Sequence, residues 1–233
     1  MSTLENKVQG CLLGLACGDA VGTSVEFLPR SRFKPLTDMV GGGKFQLKAG
    51  MWTDDTSMAL CLAESLLICK GFDADDQMRR YLRWIDEGYY SSKDHAFGLG
   101  KTVINALFRY RKTGNPYSGR AESRYSGNGS LMRLAPIAIY YRNNPLQAWK
   151  YASLSSKTTH ASPECIQACQ YFCYVLLNAL VGKDKRLLFD IQDVSELSCL
   201  TSIVSCDFFN KSIGEIKGSG FVLESLEAAL WAF

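Results

Sequence analysis

Apolar residues recur at three- and four-residue spacing along most of this chain, and few stretches alternate in the two-residue period of a strand. The pattern predicts helices over 4–19, 55–69, 76–86, 101–112, 163–181 and 221–232, a further one around 146–156, and one or two shorter ones within 184–210. Leu4, Val8, Cys11, Leu12 and Leu15 mark the face of the first. Leu60, Ala63, Leu66 and Leu67 mark the second, and Met78, Tyr81, Leu82 and Ile85 the third. Ser162 followed by Pro163 is a strong helix start, a capping hydroxyl with proline at the first helical position. The predicted fold class is all-α, a single domain with no parallel sheet.

Three features qualify that pattern. Gly10, Gly14, Gly18 and Gly22 fall every four residues along the first helix. Each costs up to about 1 kcal/mol in a helix interior, so close packing of another backbone against the stripe is expected to compensate. The last helix, beginning near Phe221, is expected to leave Leu226, Leu230, Trp231 and Phe233 with little to pack against. Residues 23–50 and 113–127 read as long loops, and long loops in a domain are often functional.

Composition narrows the class. The chain has 233 residues, enough for one large domain or two small ones, and 47% are apolar, so a sizeable core can be buried. A net charge of +3 is too mild to point to nucleic acid or an anionic membrane. Nine cysteines with no Cys-x-x-Cys pair, and no N-terminal signal arrangement, suggest a reduced, cytoplasmic protein with free thiols. No uninterrupted apolar run approaches the roughly 20 residues that span a bilayer.

The candidate chemistry sits at helix starts and in the loops. Thr53, Asp54, Asp55 and Thr56 follow one another at the mouth of the second helix. Their ordinary reading is a capped start, with Thr53 as N-cap and the two carboxylates favourable in the first turn. Their sharper reading is half of a hard-cation site, since carboxylate and hydroxyl oxygens are what Mg²⁺ or Ca²⁺ takes. Asp19 reads as a polar helix end or as support for that site. Asp73, Asp75 and Asp76 lack calcium-loop spacing and read as helix capping. Gly98-Leu99-Gly100 permits close backbone approach to a ligand, or simply a turn. The Gly127-Asn128-Gly129 turn feeds Ser130, Leu131, Met132 and Arg133, and backbone N–H groups at a helix start suit a phosphate. His160 lies in the connection before the helix at Pro163, where an imidazole can reach a ligand. Cys165, Cys169 and Cys173 share a helix face and read as buried small apolar residues rather than iron–sulfur ligands.

Taken in order, these segments resemble the ADP-ribosylglycohydrolase family, metal-dependent hydrolases that remove ADP-ribose from modified side chains. The resemblance rests on Gly10–Gly22, Trp52–Thr56, Gly127–Arg133, Thr159-His160 and Gly220–Trp231, and spans 1–233. It implies a single-domain orthogonal helical bundle with a binuclear Mg²⁺ or Mn²⁺ centre. By position it makes Thr53, Asp54, Asp55 and Glu26 metal ligands, the three acids also being catalytic. It makes Gly98, Gly100, Gly127, Asn128, Gly129, Ser130, Met132 and His160 substrate-binding. The Gly98-x-Gly100 form is similar to members acting on serine-linked ADP-ribose.

The resemblance also implies what else to expect. Family members continue into a Gly-Asp-x-Asp-Thr segment that completes the metal centre, and no Asp-x-Asp-Thr occurs in these 233 residues. The expectation is that this segment is a companion chain, from cleavage or a split gene, or is lost altogether; in the first two cases the chain alone should bind metal weakly and turn over poorly. The expected reaction is hydrolysis at the anomeric carbon of the linked ribose, on an ADP-ribosylated protein or related conjugate. Two other classes stand beside it: a catalytically impaired ADP-ribose-binding protein, and a structural protein akin to the eye-lens crystallins of the family. Neither nucleic acid nor a membrane is expected as a partner.

Overall fold

The helix Pro163–Val181 is the hub of the larger core, and the helices at both ends of the chain pack on it. The structure, a computed structural model, describes residues 3–191 and 195–233. Among these the helices are α1 (Leu4–Gly22), α2 (Asp54–Ile68), α3 (Ala74–Glu87), α4 (Lys101–Thr113), α5 (Ala135–Tyr140), α6 (Pro145–Lys157), α7 (Pro163–Val181), α8 (Thr201–Val204) and α9 (Val222–Ala232). No strand occurs among the described residues. β-type pairing is confined to isolated bridges, Gly42 with Leu47, Arg120 with His160, and Gly127 with Phe221. The all-α expectation holds.

By length and apolar content α7 is long enough to cross a membrane. Here it lies against α5, α6 and α9, burying Cys165, Ala168, Cys169, Tyr171 and Cys173 completely. The three cysteines on its inner face are core residues, as their spacing suggested. A second core forms where α2, α3 and α4 meet, around Met58, Cys61, Met78, Tyr81, Trp84, Val103 and Leu107. Asp73 starts α3 by accepting from the N–H groups of Asp75 and Asp76, both at 2.9 Å. Ser162 starts α7 by accepting from the Cys165 N–H at 3.3 Å. Gly88, Gly114 and Gly182 end α3, α4 and α7 in the left-handed conformation, where a side chain would be strained.

Several expectations are corrected. The glycine stripe of α1 packs against nothing: all four glycines are exposed, and a Cβ added at any of them would meet no atom within 4 Å. On α2 the buried apolar residues are Met58, Ala59, Cys61, Leu62 and Leu66, not Leu60 and Ala63, while Leu67 is exposed. The packed arc lies between α3 and α5, about a third of a turn from the arc the spacing suggested. The last helix begins at Val222, and Leu226 and Leu230 are buried where it meets α7, leaving Phe233 outside. Residues 192–194 of the 184–210 stretch lie outside the described residues. The rest of it forms α8 and the 3₁₀ turns Lys185–Leu187, Ser198–Leu200 and Asp207–Asn210.

The two leucines at the end of α2 give a direct check on this packing. Leu66→Ala should lower unfolding free energy by about 2–5 kcal/mol, because it opens a cavity. Leu67→Ala should change it by less than about 0.5 kcal/mol. Urea denaturation followed by circular dichroism reads both, and equal losses would refute the assigned face.

Candidate functional site

The first turn of α2 has N–H groups with no partner inside the helix. Its own N-cap residue does not supply one: Thr53 is extended and makes no side-chain capping bond. Asp19, on the last turn of α1, does so instead. Its carboxylate accepts from the Thr53 N–H at 2.9 Å and from the Thr56 N–H at 3.1 Å. It also accepts from the hydroxyls of Thr53 at 2.8 Å and Thr56 at 2.7 Å. The expected cap at Thr53 is therefore replaced by one from another helix, and Asp19 is far more than a polar helix end. The Thr53 hydroxyl gives its proton to Asp19, so its lone pairs are left for another partner.

Asp54 and Asp55 occupy the first turn thus held, beside the Glu26 carboxylate. Burial, then the Asp55 charge, raises the Asp54 carboxyl well above the ordinary range. Burial, then Asp19 and Glu26, pushes Asp55 up to about 7. Glu26 is raised by burial and by Asp19, with the Lys44 ammonium acting against both. These groups relieve one another only by taking up protons or a cation. Gly98 adopts φ +78°, and a Cβ there would collide with the Asp54 carboxylate. Its glycine is thus required by Asp54, in addition to any ligand. Gly100 is the N-cap of α4 and makes no side-chain bond.

The opposite wall is the Gly127-Asn128-Gly129 turn. It does not feed a long helix directly: Asn128–Ser130 form one 3₁₀ turn and α5 starts only at Ala135. The turn is held by hydrogen bonds from the Asn128 N–H to the Gly220 carbonyl, 3.1 Å, and from the Val222 N–H to the Ser126 carbonyl, 2.9 Å. The Asn128 amide donates to the Ser225 hydroxyl at 3.0 Å. His160 packs under the turn, 1% exposed. A Cβ on Gly129 would lie 2.9 Å from its Cε1. Burial, then the Arg133 guanidinium, lowers the imidazole to about 3, so the ring is neutral at ordinary pH.

One cavity of about 820 Å³ joins these parts. It brings together Thr53, Asp54, Asp55, Glu26, Gly98, Gly100, Gly127, Asn128, Gly129, Met132 and His160. The exception is the expected substrate residue Ser130. Its side chain is buried behind the turn, where its oxygen is hydrogen-bonded to the Ser156 hydroxyl at 2.9 Å. Residues that sequence reasoning gave no part in the site also line the cavity: Lys44, Lys101 and the Gly218-Ser219-Gly220 turn. Nothing in the local sequence marks Lys44. Asp19 was visible, but its partners lie 34 and 37 residues away.

Among the described residues no three His, Cys, Asp or Glu side chains converge as a metal-binding group. The donors present nevertheless fit a hard divalent cation in kind: mutually repelling, partly desolvated carboxylates with a hydroxyl whose proton is already committed.

Comparison with known proteins adds the following. The profile of the ADP-ribosylglycohydrolase family matches residues 1–233. The chain is 38% identical over 228 residues to the ADP-ribosylarginine hydrolase Tri1 of Serratia proteamaculans, covering 97% of this chain and 62% of that protein. It is 41% identical to the Tri1 of Pseudomonas putida, again over 97% of this chain and 61% of the relative. It is 30% identical to the ADP-ribosyl-[dinitrogen reductase] glycohydrolase of Rhodospirillum rubrum, over 72% of this chain and 55% of that protein. A solved ADP-ribosylglycohydrolase-related protein complex matches with a TM-score of 0.85 at 40% identity, covering 99% of this chain and 76% of that one. The chain thus spans about six-tenths of the length of the Tri1 relatives.

Two outcomes follow for the acidic wall. Asp19→Asn turns one acceptor into a donor facing N–H and O–H donors, and should cost about 1–3 kcal/mol in denaturant unfolding; a neutral result would remove Asp19 as the cap. The Asp55 carboxyl titrates at about 7 in the folded protein, higher than the value of about 3.9 in the unfolded chain. The folded state therefore holds that proton more tightly. The resulting stability is fully present below the unfolded value and is lost as pH rises through about 7. Melting temperature in chelator should fall between about pH 5 and pH 8, and Asp55→Asn should flatten the fall. A melting temperature that is level or rises over this interval would contradict the assignment.

Proposed function

Because this chain belongs to the ADP-ribosylglycohydrolase family, we propose that it removes ADP-ribose from modified protein side chains, with arginine as the linked residue. The observation that carries this reading is the joining, in one cavity, of the acidic wall at Thr53–Asp55 and Glu26 with the Gly127–Gly129 turn and His160. The arginine linkage is supported by the two Tri1 relatives, which are named for it. They weigh more than the likeness of Gly98-x-Gly100 to members acting on serine-linked ADP-ribose.

The two walls then divide the chemistry between them. The glycines at 127 and 129 let the ligand's diphosphate approach the backbone. His160, neutral and fixed, offers a hydrogen bond to the diphosphate or the distal ribose. The linked ribose lies at the acidic wall. Water attacks its anomeric carbon, the bond to the guanidinium nitrogen breaks, and the nitrogen keeps a proton from the water. Positive charge developing on the ribose is stabilised by the fixed carboxylates of Asp54, Asp55 and Glu26. Mg²⁺ or Mn²⁺ held by Thr53, Asp54, Asp55 and Glu26 would supply Lewis acidity toward water and the ribose hydroxyls.

Isothermal titration with ADP-ribose, with and without Mg²⁺ or Mn²⁺, tests the binding half. Release of ADP-ribose from arginine- and serine-linked substrates tests the rest. Metal-strengthened binding and release from arginine are expected. Binding without release from either substrate would leave an ADP-ribose-binding protein, and absence of binding would refute the reading. Asp55→Ala should abolish divalent-metal binding. If Asp55 serves only the helix start, the change should instead cost about 0.5–2 kcal/mol of stability and leave metal affinity unchanged.

A further inference from the structure

Behind the Gly127–Gly129 turn lies a chain of polar groups that the proposed reaction does not use directly. Arg133 is completely buried and takes part in none of the ion pairs among the described residues. One of its terminal nitrogens donates to the Gly129 carbonyl at 2.7 Å. The other donates to the Ser155 carbonyl at 3.2 Å and to the Thr159 hydroxyl at 2.8 Å. Its guanidinium lies 5.0 Å from the centre of the Tyr81 ring. The Thr159 oxygen is in turn 2.8 Å from Nδ1 of His160.

The protons in this chain can be assigned one by one. A guanidinium only donates, so Thr159 accepts from Arg133. A hydroxyl has one proton to give, and Nδ1 is the acceptor within reach of Thr159 among the described residues. A buried O–H left without an acceptor is costly. Thr159 therefore donates to Nδ1, which carries no proton. A neutral imidazole then carries its proton on Nε2. That atom lies 3.3 Å and 3.5 Å from where Cβ atoms on Gly129 and Gly127 would stand, and His160 is among the residues that line the cavity.

We propose that Arg133 and Thr159 are positioning residues that lock His160 in a single tautomer, an Nε2–H donor aimed into the cavity at an oxygen of a bound phosphate or sugar. The lock makes His160 a donor only. It cannot take a proton from the ligand or from water, which leaves proton acceptance to the carboxylates of the opposite wall. It also explains why a cation is buried here. Arg133 holds the Gly129 carbonyl and the imidazole partner together, so the turn and the ring keep one spacing.

That the donor serves ADP-ribose rests on the function proposed above; the tautomer does not. The chain has two histidines, so His95→Gln leaves one ring to observe. A long-range ¹H–¹⁵N correlation spectrum of the ligand-free protein at neutral pH should show Nε2 protonated and Nδ1 bare. Thr159→Val should convert this to an exchanging mixture and weaken ADP-ribose binding roughly fivefold, the value of one hydrogen bond. Thr159→Ser should restore both. A protonated Nδ1 or an averaged pattern in the wild-type ring would overturn the proposal, as would an unaltered lock in Thr159→Val. The wild-type spectrum decides even if Thr159→Val does not fold. Failure of the wild type to bind ADP-ribose would sink the assigned ligand, while the spectrum alone judges the lock.

Discussion

A single carboxylate, Asp19, joins the end of one helix to the beginning of another, and the acidic wall exists because of it. A helix start needs acceptors, and the usual source is its own N-cap side chain. Here the acceptor comes from α1, which leaves the Thr53 oxygen and the Asp54 and Asp55 side chains free of capping duty. The arrangement concentrates negative charge. Asp19 sits on the helix-start N–H groups, and its charge opposes ionisation of Asp55 and Glu26. One interaction thus both shapes the wall and sets its demand for a positive ligand.

The other wall is organised differently. Its surface is backbone and glycine, and its stiffness comes from the polar layer behind: Arg133, Ser155, Thr158, Thr159, Ser130 and Ser156, all buried. Such layers are stable when their members are satisfied and costly when they are not. Gln77 joins the same layer from α3, donating to the hydroxyls of Ser155 at 3.0 Å and Tyr81 at 3.0 Å. The layer ties α3, through Gln77, to the end of α6, through Ser155, directly behind the turn that walls the cavity.

Much of this was legible in the sequence, and the gaps have physical causes. Helix positions followed from apolar spacing, and the capping roles of Asp73 and Ser162 from residue type at a helix start. The cavity residues were reached through motif order, and all but the Ser130 side chain face one space. What escaped were interactions between segments distant in sequence. Asp19 capping α2, and Ser156 drawing Ser130 inward, leave no periodic trace. Nor does apolar spacing tell which side of a helix meets a neighbour when several sides carry apolar residues. Leu67 and the glycine stripe of α1 depart from expectation for that reason.

The meeting of Gly98 with Asp54 has a consequence for how this protein can change over generations. Position 98 needs a left-handed backbone and an absent side chain, yet it belongs to no core. Any replacement there displaces the Asp54 carboxylate before it disturbs packing. A lineage passing through such a change would retain a folded, heritable protein whose acidic wall no longer lines up. A side chain at position 98 is therefore compatible with this acidic wall only if the Asp54 carboxylate takes up another position.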